Sequence, residues 1–195
     1  MGEQAVAAMS VEEFYAWGER QDVRYEYVDG AAIRMMTGAN RRHDDVVFNI
    51  VVALGMELRG KSCRGFTADT AVRTRSGRRR RPDAGVECGA PRDSDHEADQ
   101  PKLVVEVLSP STREFDLYGK LDEYKAVDSI DFILLVEPNA PEVMVWRRGA
   151  NRAWEHETVS GLEAVVSFPA IGVMLRLADV YDKLLFPARP RLVPD

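Results

Sequence analysis

The sequence predicts a single α/β or α+β domain with a mixed central sheet flanked by helices. Three observations lead there. Val46, Val47, Ile50, Val51, Leu54 and Leu58 recur at helical spacing and predict a long amphipathic helix from His43, ending near Gly60. LVVEVL (103–108) and FILLVE (132–137) are near-continuous apolar runs, as in strands buried on both faces. The elements follow in the order helix, strands, helix, strands, helix, with no internal repeat and no low-complexity segment.

Ser10 with Glu13 three residues later is the capping-box pattern, so the first helix starts in SVEEFYAW. YEYVDGAAIRMM (25–36) reads as a hairpin turning at Asp29-Gly30. Short apolar segments at Ala71 and Ala84 are divided by SGRRRRP, which suggests strands joined by a basic turn. Residues 89–101 are rich in turn formers and charge and should be an exposed loop. SPST (109–112) breaks the LVVEVL strand and a helix follows over 113–127. EVMVWRR, WEHETV and AVVSF read as further strands, LADVYDKLLF (177–186) as a closing helix, and Trp17, Trp146 and Trp154 as core.

The 195 residues, 45% hydrophobic and 30% charged, suit one soluble domain spanning 1–195 with its core at about 10–185. No apolar run approaches the roughly 18 residues that cross a bilayer, and MGEQAVAAMS has no signal-peptide pattern. Cytoplasmic localisation is therefore expected, with Cys63 and Cys88 as buried, reduced side chains and a disulfide between them as the less favoured alternative. A net charge of −6 argues against a generic nucleic-acid coat. A local basic patch is nevertheless present in Arg73, Arg75, Arg78, Arg79, Arg80 and Arg81. It reads either as a solvated hairpin or as a phosphate-binding surface.

Glu106 interrupts LVVEVL, where a carboxylate is costly to bury without a partner or a metal. Asp83, after Pro82, stands near the beginning of another strand. If the two strands are neighbours, two carboxylates converge at one sheet edge, an arrangement that suits Mg²⁺. Asp116, Lys120 and Tyr124 follow at i, i+4 and i+8 and share one helix face. In isolation the Asp116–Lys120 pair reads as a surface ion pair; directly after the Glu106 strand, Lys120 is placed to reach a phosphate or polarise a water. His96 and His156 have no ligand spacing around them.

RYEYVDG, the later His43, RPDAGV, VVEVLSPST and the spacing D-x3-K-x3-Y together resemble the Uma-type family of predicted restriction endonucleases, a branch of the PD-(D/E)XK superfamily. The resemblance runs over about residues 10–185 and implies a restriction-endonuclease-like fold. It also implies metal-dependent phosphodiester hydrolysis, with Asp83 and Glu106 binding Mg²⁺ (or Mn²⁺) and DNA as the substrate. Position 108, where the superfamily's lysine normally stands, is Leu, so the resemblance moves that role to Lys120 on the next helix. Glu26 matches the family's early Glu and His43 is a substrate contact or a structural group. Symmetric homodimers are the default for enzymes that cut both strands of a duplex, and no membrane partner is expected. Two rivals stay open: a catalytically inactive module that binds nucleic acid or protein, and a metal-dependent hydrolase acting on RNA or nucleotides.

Overall fold

The computed structural model describes residues 8–35, 40–75, 77–90, 92, 95–110 and 113–186. Met36 of the expected hairpin, Ser76 of the basic turn, Pro91, Asp93 and Ser94 of the loop, and Ser111 and Thr112 of the strand break lie outside these residues. Helix α1 (Val11–Gly18) starts on the full capping box, Ser10 and Glu13 each bonding the other's backbone N–H. Strands β1 (Tyr25–Val28) and β2 (Ala31–Arg34) form the expected hairpin, with Asp29 and Gly30 at φ 50° and 93°. Positive φ at both central positions is what a tight right-twisted hairpin turn demands.

Asn40 caps α2 (Arg41–Glu57), whose Val46, Ile50 and Leu54 are buried. Four short strands follow: β3 (Arg64–Thr67), β4 (Val72–Arg75), β5 (Arg78–Arg80) and β6 (Ala84–Glu87). Strand β7 (Pro101–Val107) holds the LVVEV run. A π-helical turn (Phe115–Lys120) then leads into α3 (Leu121–Lys125), and β8 (Phe132–Glu137) returns parallel to β7. The chain closes with β9 (Glu142–Arg148), β10 (Trp154–Ser160), β11 (Val165–Phe168), a 3₁₀ turn (Pro169–Ile171), β12 (Val173–Arg176) and α4 (Leu177–Val180).

The main sheet is mixed and six-stranded, in the order β10-β9-β8-β7-β6-β3, with a four-stranded sheet β2-β1-β5-β4 and the pair β11-β12 beside it. Alternation along β7 assigns its side chains to two cores. Leu103, Val105 and Val107 pack with α2, while Val104 and Leu108 pack with Leu121, Tyr124 and Ile133. Glu106 therefore points to the face covered by the 113–125 helical segment. Strand β7 is central, so Glu106 is buried at 3% exposure rather than placed at an edge. Gly85 leaves room for the ring of Phe66, its antiparallel partner on β3, since a Cβ there would stand 2.2 Å from that ring.

Three expectations are corrected. Cys63 and Cys88 form a disulfide, with Cα atoms 4.1 Å apart. The β3–β6 register pairs Arg64 with Glu87, so the cysteines that flank this pair stand directly opposite each other. The closing helix is only four residues long: Tyr181 turns to bond the β8–β9 connection through its hydroxyl, and Lys183 takes a left-handed φ of 62°. The 89–101 loop is not simply solvated, because it pairs with Ala71 (Ala71 N to His96 O, 2.9 Å; Ala98 N to Ala71 O, 2.8 Å) and directs Glu97 inward. Among the described residues no helix is long and apolar enough to cross a membrane.

Candidate active site

Pairing of β6 with β7 sets Ala84 opposite Val105, and one further step along the register brings Asp83 to Glu106. Asp83 Oδ2 accepts the backbone N–H of Val107 at 2.8 Å. From the first turn of α2, His43 Nε2 donates to the Val107 carbonyl at 2.9 Å and lies 3.6 Å from Asp83 Oδ2. Asn40, not His43, caps the helix, so the imidazole is free to face the carboxylate. Burial would lower the His43 pKa, but the hydrogen bond and charge of Asp83, with the Val107 carbonyl, outweigh it and raise it.

Glu106 is met from the helical side. Lys120 Nζ lies 3.2 Å from its Oε1, and the Tyr124 hydroxyl donates to the same oxygen at 2.7 Å. The Lys120 ammonium is also 3.1 Å from Asp116 and 3.7 Å from Glu26, so one buried cation serves three carboxylates. The π turn at Phe115–Lys120 lies directly before α3, so Asp116, Lys120 and Tyr124 all turn inward. Burial pushes the Glu106 carboxyl up to about 8 against the opposing Lys120 charge, with Asp83 and Asp116 adding to the rise. Burial and the Glu106 charge hold Tyr124 well above its ordinary value, so its hydroxyl stays a donor.

These groups line a cavity of about 190 Å³ that includes Glu26, His43, Asp83, Glu106, Asp116 and Lys120. The bonds described fall on Asp83 Oδ2 and Glu106 Oε1, leaving Asp83 Oδ1 and Glu106 Oε2 outside them. Two carboxylate oxygens beside a cavity with room for several waters fit a hard divalent ion that retains most of its waters. Among the described residues no three His, Cys, Asp or Glu side chains converge into a fuller metal cluster. Glu26 is held by Arg80 Nη1 (2.8 Å) and by the Arg81 backbone N–H (3.1 Å).

The arginine run is the main correction at the site. Arg79 and Arg80 are buried at 6% and 3% exposure, not arrayed as a phosphate-binding patch. Arg80 grips Glu123 with two bonds (2.8 and 2.7 Å) and Glu26 with a third. Arg78 pairs with Glu123 and Asp29, Arg79 and Arg73 with Glu97, and Arg81 is bound to the carbonyls of Tyr25, Ala68 and Asp69. Position in the sheet explains the split: Arg79 and Arg80 lie in β5, paired on both sides by β1 and β4, while Arg73 and Arg75 keep exposed side chains on β4 at the sheet edge. Glu123 and Glu97 escaped sequence reasoning, since a Glu in a helix or a polar loop carries no local sign of a buried partner.

Burial alone would raise Glu123, but hydrogen bonds from Arg80, then Arg78 and Thr74, bring its carboxyl down to about 2. A carboxyl lowered on folding stabilises the native state above its unfolded pKa, and that contribution fades as pH falls toward the folded one. Denaturant titration of the wild type should therefore show stability falling between about pH 4.5 and pH 2. A Glu123→Gln variant, less stable at pH 7, should have a flatter profile over that window; an equally steep profile would refute the assignment.

A mixed sheet with acids at the ends of two adjacent strands, and a lysine from the helix that follows, defines a restriction-endonuclease-like domain. The chain belongs to the Uma2 family, described as putative restriction endonucleases, whose model matches residues 11–178. It is 32% identical over 184 residues to the uncharacterized protein slr1290 of Synechocystis sp., covering 91% of this chain and 94% of that one. A second Synechocystis protein, the uncharacterized sll1609, is 24% identical over 164 residues, 82% and 92% of the two chains. The fold is shared with the crystal structure of a putative nuclease belonging to DUF820 from Anabaena variabilis. That likeness has a TM-score of 0.69 at 20% identity over 91% of this chain and 99% of the other.

Proposed function

We propose that this protein is a metal-dependent nuclease that hydrolyses phosphodiester bonds of DNA, with Mg²⁺ or Mn²⁺ held by Asp83 and Glu106. The observation that carries the reading is a buried carboxylate on a central strand, bonded by Lys120 and Tyr124 and facing a cavity it shares with Asp83. A divalent ion there would supply an activated water and neutralise charge on the scissile phosphate. Tyr124 and Lys120 hold one oxygen of Glu106 in place, and the Val107 N–H with His43 does the same for Asp83. Lys120, held as an ammonium by Glu26, Glu106 and Asp116, is positioned to orient the attacking water through the cavity and to offset negative charge on the phosphate. Arg73 and Arg75, the exposed members of the basic run, are left to meet the strand's phosphates. A larger cavity of about 620 Å³ adjoins, sharing Met35, Arg81 and Asp83 with the first and bringing Tyr15, Tyr25 and His96 to its wall. It gives the flanking nucleotides room beside the carboxylates.

The test is cleavage of labelled single-stranded DNA, duplex DNA and RNA with Mg²⁺, Mn²⁺ or EDTA. DNA should be cut only with the ion present, and Glu106→Gln should lower the rate by roughly 10²-fold or more. Preferential cutting of RNA would replace the substrate class. Absence of metal-dependent cutting on every substrate would overturn the reading in favour of a non-catalytic binding module.

A further inference from the structure

Helix α2 has a second apolar stripe on the side away from the sheet. Phe48, Val52 and Met56 repeat at four-residue spacing and are 66%, 42% and 67% exposed; Met174 of β12 beside them is 58% exposed. Leaving several large side chains in water on one helix face is costly, and contiguous patches of this kind mark interaction surfaces. They border a groove of about 470 Å³.

The stripe reads the same from both ends. Val52 is its midpoint, with Phe48 four residues before it and Met56 four after. If a copy of α2 is laid antiparallel about a two-fold axis at Val52, residue numbers facing each other sum to 104. Val52 then meets Val52 of the partner, Phe48 meets Met56, and Asn49 meets Gly55, whose missing side chain leaves room for close approach. One turn further out, Asp45 meets Arg59 at both ends. Asp45 is 41% exposed and lies 3.6 Å from the exposed Arg41 of its own helix, and Arg59 is exposed, so each outer end brings the partner's Arg59 to a carboxylate shared with Arg41. A two-fold interface must be complementary to itself, and an apolar centre with opposite charges at its two ends is so only in the antiparallel arrangement. The groove beside the stripe also mixes signs, with Arg176 and Lys183 near Asp179 and Asp182.

We infer that a second copy of this chain docks on the exposed face of α2, antiparallel and centred on Val52. His43 sits in the first turn of the same helix, so the pairing also sets the spacing between the two active sites.

Pairing is read by sedimentation and crosslinking, without any cleavage assay, so it can fail while the proposed activity stands, and the reverse. The wild type should sediment at twice the chain mass at micromolar concentration. Phe48→Glu should weaken self-association by roughly 30-fold or more, the loss expected of a central interface anchor. Asp45→Arg should weaken it as well, and adding Arg59→Asp should restore it. Val52→Cys should give a covalent dimer under mild oxidation, whereas Glu155→Cys on β10 should not. Circular dichroism checks that each variant is folded. A monomeric wild type would overturn the inference, as would a dimer that survives Phe48→Glu with no covalent pair from Val52→Cys.

Discussion

Lys120→Met should slow DNA cleavage by roughly 10²-fold or more while leaving Mg²⁺ affinity unchanged or tighter. The lysine lies within 3.7 Å of Glu26, Glu106 and Asp116, and Met keeps most of its volume while removing the ammonium. Without that charge the site gains net negative potential, which favours a divalent ion. The attacking water loses the group proposed to orient it, so kcat should fall more than KM rises. Glu106→Gln should behave in the opposite sense for the metal, losing affinity together with rate, because it removes a ligand oxygen's charge. Cleavage rates measured beside Mg²⁺ titrations separate the two. Full activity in Lys120→Met would refute the lysine's role in the reaction, and a parallel loss of metal affinity would reduce it to a structural cation.

A second large effect is expected from Arg80→Met, which should destabilise the fold by about 3–5 kcal/mol in denaturant unfolding. The methionine fills much of the space, so the cost comes from charge. Glu123 and Glu26, both buried, would lose three bonds of 2.7–2.8 Å, leaving Glu123 to Arg78 and Thr74 and Glu26 to the Arg81 N–H and the more distant Lys120. Burial, which raises the Glu123 carboxyl, would then be opposed by fewer donors, a cost felt at neutral pH. Arg73→Met is the comparison: its side chain is 63% exposed and Glu97 would keep its bond to Arg79, so about 0–1 kcal/mol is expected. Equal small losses at both positions would show that the buried arginines do not organise the four-stranded sheet.

The parts legible in the sequence are those whose causes are local. The Ser10–Glu13 box, the Asp29-Gly30 turn, the α2 periodicity and the LVVEVL run each place their signal within a few residues, where backbone sterics and side-chain period act directly. Glu106 stood out because a carboxylate inside an apolar run contradicts its surroundings, and Lys120 because it shares a helix face with Asp116 and Tyr124. Both apolar stripes of α2 are also written in the sequence, but period alone does not say which one meets the sheet.

Sequence alone determined the element types, the class of fold and the carboxylate–lysine set at the Glu106 strand, since these follow from short-range pattern and from the cost of burying charge. Tertiary structure decided what the arginine run does. Arg80 finds Glu123 at a separation of 43 residues and Glu26 at 54, and no neighbouring residue foretells that match. It decided the Cys63–Cys88 bond in the same way, through a strand register that joins residues 25 apart. It also decided which stripe of α2 stays in water. Pairings of this kind depend on how the elements pack in space, and only the folded chain brings such distant groups within reach of one another.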